Sequence, residues 1–203
     1  VLAAAPDVVV TDVASVKAPG PLGIEAPSPR WVGGHPMAGT ERTGFAAARP
    51  GMLAGATWLL TPDDAVDRDA LVAVLDLVLA VGAVPVVLDA DEHDRLVAAV
   101  SHVTHLLSYA LHDVASGLGR ELVDLVAGPS FRDATRVAAS DPAFWADVTV
   151  RNHDAVDAVL ADVRTWLDAA TTEDRGTLAD RLAGAQRRPL PATRTDPARE
   201  DLD

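Results

Sequence analysis

The apolar pattern of this chain changes period once, at Asp89, and that change limits it to an architecture in two parts. Before Asp89, short apolar runs alternate with a single helical stretch; beyond it, every apolar repeat has helical spacing. Residues 8–10, 31–34, 56–60 and 84–88 read as strands. The first has the continuous apolar character of a buried strand in a parallel sheet, and Pro85 marks the last as an edge. Thr61-Pro62-Asp63-Asp64 has the form of a helix start, with proline at the first helical position and acids in the first turn. That helix is expected to run to about Val81 and stop at Gly82. The alternation predicts the closing part of a Rossmann-like α/β nucleotide-binding domain over residues 1–90. An all-α domain is expected over 91–184, with a disordered tail at 185–203.

The helical part opens on Asp89 and Glu92, spaced as a capping box. The helix predicted from there to about Ala115 carries Leu96, Val100, Val103, Leu107, Leu111 and Val114 on one face. The opposite stripe holds His102, His105, Tyr109 and His112, and no Lys, Arg, Asp or Glu lies between Leu96 and Asp113. A stripe without charges suggests a second buried side lining a cavity. Histidines bonded to backbone groups would look the same. A metal site at His102 and His105 lacks an interleaved acidic ligand, and none is expected. A further amphipathic helix, residues 152–170, suits packing or dimerisation.

Composition narrows the partners. A formal charge of −13 with a pI near 4.7 sets the chain's own field against nucleic acid, and an anionic substrate would need local arginines. There is no cysteine, hence no thiol chemistry. No long apolar span or leader is apparent, so the chain reads as a soluble, cytoplasmic protein. The absence of methionine at Val1 suggests a start inside a domain.

Two stretches carry candidate chemistry. Thr11, Asp12, Ser15 and Lys17 follow the first strand, where open α/β sheets bind ligands; Ser15 could equally cap a short helix. Residues 33–44 then pack four glycines, Pro36 and His35 into twelve positions. Pro36 stiffens the chain beside the imidazole, and Thr40, Glu41, Arg42 and Thr43 follow it. The plainer reading is a glycine-rich turn with a solvent-facing histidine. In the helical part, Asp133 and Arg136 stand at i,i+3, which is also the spacing of an exposed ion pair of little consequence.

The strings HPMAGTERTGF, GATWLLTP, DADEHDRLVAAVSHVTH and FRDATRVAASDPAFW resemble the prephenate dehydrogenase family of tyrosine biosynthesis (prephenate/arogenate dehydrogenases), in order and near spacing from Pro6 to about Asn152. The resemblance implies oxidative decarboxylation of prephenate to 4-hydroxyphenylpyruvate with NAD or NADP, by a homodimer joined through its helical domain. It implies His35 as the catalytic base with Ser15 beside it and the nicotinamide, and Arg136 as the carboxylate clamp. His105, Thr40 and Trp145 would line the substrate pocket, Asp133 would steady Arg136, and Glu41 would gate. Thr11, Asp12 and Ser15 fall at the cofactor. Thr104 stands where many members have proline, predicting an unkinked helix past His105. The Gly-x-Gly-x-x-Gly turn that holds the pyrophosphate is absent from these residues. The alternatives are an arogenate dehydrogenase and a non-catalytic dimerisation or prephenate-binding module.

Overall fold

A computed structural model of the chain describes residues 7–17, 28–39, 44 and 47–188. Thr40 and Glu41, the proline-rich stretch 18–27 and the tail from 189 onward lie outside the described residues. By compactness the chain divides into Val1–Val159 and Leu160–Asp203.

The first unit holds a four-stranded sheet in the order β1 (Val10–Thr11), β2 (Trp31–Pro36), β3 (Thr57–Thr61), β4 (Val84–Val87). β1 and β2 are parallel, as are β3 and β4, but β2 and β3 run antiparallel. The sheet is therefore mixed where the sequence suggested a parallel one. A parallel neighbour needs a crossover connection, and no α-helix stands among the described residues between β2 and β3. Between β3 and β4 the crossover is α1 (Arg68–Ala80). Val32, Trp58, Leu60, Val74, Val78 and Ala83 form the core between that helix and the sheet. Burial of each large aliphatic side chain there stabilises by roughly 1.5–3 kcal/mol.

Helix α1 starts later than Pro62 promised. Asp63 instead closes a turn of its own, accepting the Ala65 amide at 2.9 Å through its carboxylate and the Val66 amide at 3.0 Å through its carbonyl. Turn-forming Asp competes with helix at such positions. The stop is as read: Gly82 adopts φ 77° immediately past the C-cap Val81. Pro85 does lie on an edge strand, since β4 ends the strand order.

The helix after Asp89 is capped as expected, the carboxylate accepting the Glu92 amide at 2.6 Å. It is not one helix. α2 (Ala90–Val97) gives way to a π turn at Ala98–His102 before α3 (Val103–Ser116). The extra residue in that turn re-aims the face that follows. The apolar and polar stripes also exchange roles relative to the expectation. Leu96, Val100, Leu107, Leu111 and Val114 are exposed, only Val103 of that face being buried, whereas His93, Asp94 and His102 are buried. Along the other stripe burial fades outward, so that His112 is exposed.

Then follow α4 (Arg120–Val126), α5 (Pro129–Thr135), a 3-10 turn at Arg136–Ala139, α6 (Pro142–Arg151) and α7 (His153–Thr172). Asp141 caps α6 through the Ala143 amide at 2.9 Å, with Pro142 at the first position. In the second unit α8 (Arg175–Gln186) is capped by Asp174, and Arg181 pairs with Glu173 while lying over Trp166.

Candidate active site

The site grows from the two adjacent glycines of β2. A Cβ on Gly34 would lie 2.5 Å from the Asp12 carbonyl and 2.8 Å from Nε1 of Trp58, and one on Gly33 would collide with Oγ1 of Thr61. Glycine is thus required here because β1 and β3 press on both sides of β2. That close approach lets Lys17 extend across. Its ammonium bonds the Asp12 carboxylate and the Gly34 carbonyl, and its backbone amide donates to Oδ1 of Asp94 at 2.8 Å. Burial lowers the Lys17 pKa, opposed by Asp12 and then Asp94.

His35 follows Gly34 and is half-buried. Its Nδ1 lies 2.8 Å from Nε2 of His93, whose own Nδ1 lies 2.7 Å from Oδ1 of Asp94. His93 is fully buried. Burial first, then the neighbouring His93 and Lys17, push the pKa of His35 down to about 3. This ring therefore lies well below the ordinary imidazole value. It is held neutral.

From Asp94 the polar contacts continue into the helical part. Asn152 donates to the Asp94 carbonyl at 2.9 Å and lies 3.1 Å from Nδ1 of His102. Burial holds His102 at a pKa of about 4. The Trp145 ring packs edge-on to His102 and flat against His105, whose Nδ1 is 2.9 Å from the Ser101 carbonyl. Arg136 is close enough to His105 to lower its pKa, after burial, the larger cause. Arg136 is itself exposed and has no hydrogen bond or ion pair among the described residues.

Several expectations are thereby joined and others are not. His35, His105 and Trp145 are linked by a sequence of contacts through His93, Asp94, Asn152 and His102, and Arg136 is close enough to His105 to act on it electrostatically. Ser15 is half-buried in the loop after β1 and makes no hydrogen bond to His35. Asp133 is exposed and forms no ion pair with Arg136. The backbone explains that: α5 ends at Thr135, and Arg136 opens a 3-10 turn, so the i,i+3 register of one α-helix does not hold. His93, Asp94 and Asn152 were missed. The signal for the first two was present, because a His-Asp pair occupies the inward positions that Val97 and Ala98 repeat one turn later.

At the other end of this region, Oγ1 of Thr11, Oδ2 of Asp12 and Nε1 of Trp58 are buried without a hydrogen-bond partner among the described residues. A Cβ on Gly34 would lie within 3.0 Å of two of these, Thr11 and Trp58. Buried polar atoms normally find partners, so these donors and acceptors suit a polar group such as a carboxamide.

Known proteins decide the family. Residues 2–87 match the model of the prephenate dehydrogenase nucleotide-binding domain, and residues 89–184 that of the prephenate dehydrogenase dimerization domain. A cyclohexadienyl dehydrogenase of Zymomonas mobilis is 32% identical over 199 residues, 94% of this chain and 68% of the relative. The chain belongs to the prephenate dehydrogenase family. Within that family, a prephenate dehydrogenase of Bacillus subtilis is 35% identical over 129 residues, 63% of this chain and 35% of the relative. Among solved structures, arogenate dehydrogenase of Synechocystis superposes with a TM-score of 0.75 at 29% identity, covering 88% of this chain and 67% of the other. Prephenate dehydrogenase from A. aeolicus, in complex with hydroxyphenyl propionate and NAD+, gives 0.74 at 30%, covering 88% and 65%. The family match fixes the class of fold: a Rossmann-like part followed by a helical part.

Proposed function

We propose that this family member takes part in the oxidative decarboxylation of prephenate to 4-hydroxyphenylpyruvate, with His35 as the base. The observation that carries the reading is the neutral ring of His35, tied through buried polar contacts to a helical cluster beside Arg136, which forms no ion pair among the described residues. Thr11 and Asp12, with their unsatisfied buried oxygens, fit the carboxamide end of an NAD-type cofactor, which when bound would supply the hydride acceptor through its nicotinamide ring.

The chain's own residues orient and deprotonate. Arg136 offers two parallel bonds to a substrate carboxylate. Trp145 and His105 provide a stacked wall beside it. His35 takes the hydroxyl proton as the hydride leaves; the electrons of the bond to the departing carboxylate then complete the aromatic ring and charge its oxygen, to which His35 returns the proton. A dianionic substrate beside His35 raises its pKa from the ligand-free value, bringing it toward the range of a useful base. Ser15 and the residues 40–41 complete the substrate and cofactor contacts in this reading. The exposed stripe Leu96, Val100, Leu107, Leu111 and Val114 is the surface on which a second copy would dock.

The test is cofactor reduction followed in ultraviolet absorbance, with NAD+ and NADP+ each offered alongside prephenate and alongside arogenate. Turnover with prephenate supports the reading. Turnover confined to arogenate moves the substrate within the family. Cofactor binding without turnover on either substrate favours a module that binds without catalysing.

A further inference from the structure

Resting on the reading of His35 as the base, we propose that the buried pair His93–Asp94 is the positioning element that fixes the tautomer of His35, keeping its proton on Nδ1 and leaving Nε2 bare toward substrate. The argument starts from Oδ1 of Asp94. That oxygen receives the backbone amide of Lys17 at 2.8 Å, an interaction in which the oxygen must accept. The same oxygen lies 2.7 Å from Nδ1 of His93, so Nδ1 of His93 carries the proton and donates. A neutral His93 then has a lone pair on Nε2, and the atom 2.8 Å away is Nδ1 of His35. Two lone pairs cannot face one another at that distance. His35 must hold its hydrogen on Nδ1.

The competing arrangement makes His93 doubly protonated, donating to Asp94 and to His35 at once. It would put a full cation on a side chain with 0% exposure, and the Asp94 carboxylate that would pair with it already accepts the Lys17 backbone amide. With His93 neutral, the same hydrogen bonds form and no cation is needed on that ring. Asn152, donating to the Asp94 carbonyl, holds the start of this relay from the helical side. Nothing in the sequence near His35 predicts it, because His93 is 58 residues away.

The consequence is chemical. A base that accepts a hydroxyl proton needs a bare ring nitrogen facing that hydroxyl, and a ring in the other tautomer presents a hydrogen there instead. His93 does not touch the reacting atoms. It acts through His35.

The test is nitrogen-15 NMR of the full 203-residue chain labelled at histidine, at pH 7, with His35 assigned by its loss in His35→Asn. The expected spectrum has Nδ1 of His35 protonated and Nε2 unprotonated. In His93→Phe, which removes the acceptor, His35 is expected to shift toward the Nε2-protonated form, and in His93→Gln, whose side-chain carbonyl can accept, to return. With turnover measured in parallel, His93→Phe should lower kcat by about 100-fold and leave KM within about threefold, and His93→Gln should recover most of it. An Nε2-protonated His35 in the parent overturns the proposal, and so does an unchanged tautomer in folded His93→Phe. Should the phenylalanine variant not fold, the parent spectrum alone decides. A parent that is Nδ1-protonated but turns over neither prephenate nor arogenate supports the positioning role and counts against the reaction, so the two failures are distinguishable.

Discussion

The indole of Trp145 lies flat on the imidazole of His105, ring centroids 3.4 Å apart and planes 18° from parallel. Two elements distant in sequence, α3 and α6, thereby present one continuous wall beside Arg136. Removing the indole should loosen the wall without touching the base. Trp145→Ala is expected to raise KM for prephenate more than it lowers kcat, read from steady-state kinetics. A selective fall in kcat with KM unchanged would argue that Trp145 is not a substrate contact.

His35→Asn is expected to lower turnover by roughly 10²–10⁴-fold while leaving substrate affinity nearly unchanged. The two quantities come from initial rates and from a calorimetric titration of prephenate. Parent-like rates in the variant would remove His35 from the chemistry.

Arg136 should matter to binding and not to folding. It is exposed and without an ion pair among the described residues, so Arg136→Ala is expected to change stability by no more than about 0.5 kcal/mol. Loss of a charge-assisted contact to substrate carboxylate should cost about 2–5 kcal/mol of affinity. Thermal unfolding and titration measure the two independently. Full affinity in the variant would put the clamp elsewhere.

The glycine pair makes a purely structural prediction. Gly34→Ala puts a methyl 2.5 Å from a backbone carbonyl and is expected to destabilise by about 1–3 kcal/mol. Gly39→Ala, with nothing among the described residues within 4 Å of the added carbon, should fall within about 0.5 kcal/mol of the parent. Denaturant titration of both variants checks the contrast, and equal stabilities would mean that β1 and β3 do not press on β2 as described.

Acid should unfold the chain earlier than its carboxylates alone would require. His102 has a folded pKa of about 4 against 6.5 for an unhindered ring, so between those values the unfolded state binds the extra proton and the folded state does not. Stability from this group is complete above about pH 6.5 and is lost as pH falls, at up to about 1.4 kcal/mol per pH unit, until about pH 4. His35 adds in the same direction down to about pH 3. Unfolding free energies followed by circular dichroism from pH 7 to pH 4 should show the loss, and His102→Gln should make it shallower.

How much of this was legible in the sequence differs by element. The cap at Asp89, the stop at Gly82 and the edge at Pro85 are local, each set by a few neighbouring residues, and each stands as read. The antiparallel pairing of β2 with β3 was not legible, because apolar runs alone carry no direction. The start of α1 was misplaced because Asp63 satisfies a turn as well as a cap. The exposed stripe of α3 was taken for core because periodicity identifies an apolar face without saying what covers it.

The sequence by itself determined the family, the two-part class of fold and the residue types from which a site is built, since those depend on short strings and on period. Only the tertiary structure decided that His35 meets His93, that Lys17 reaches Asp94, and that Asp133 does not pair with Arg136. Such contacts join positions up to 77 residues apart in the chain. They arise because burial obliges each polar group to find a partner in space, and the identity of that partner is settled by packing.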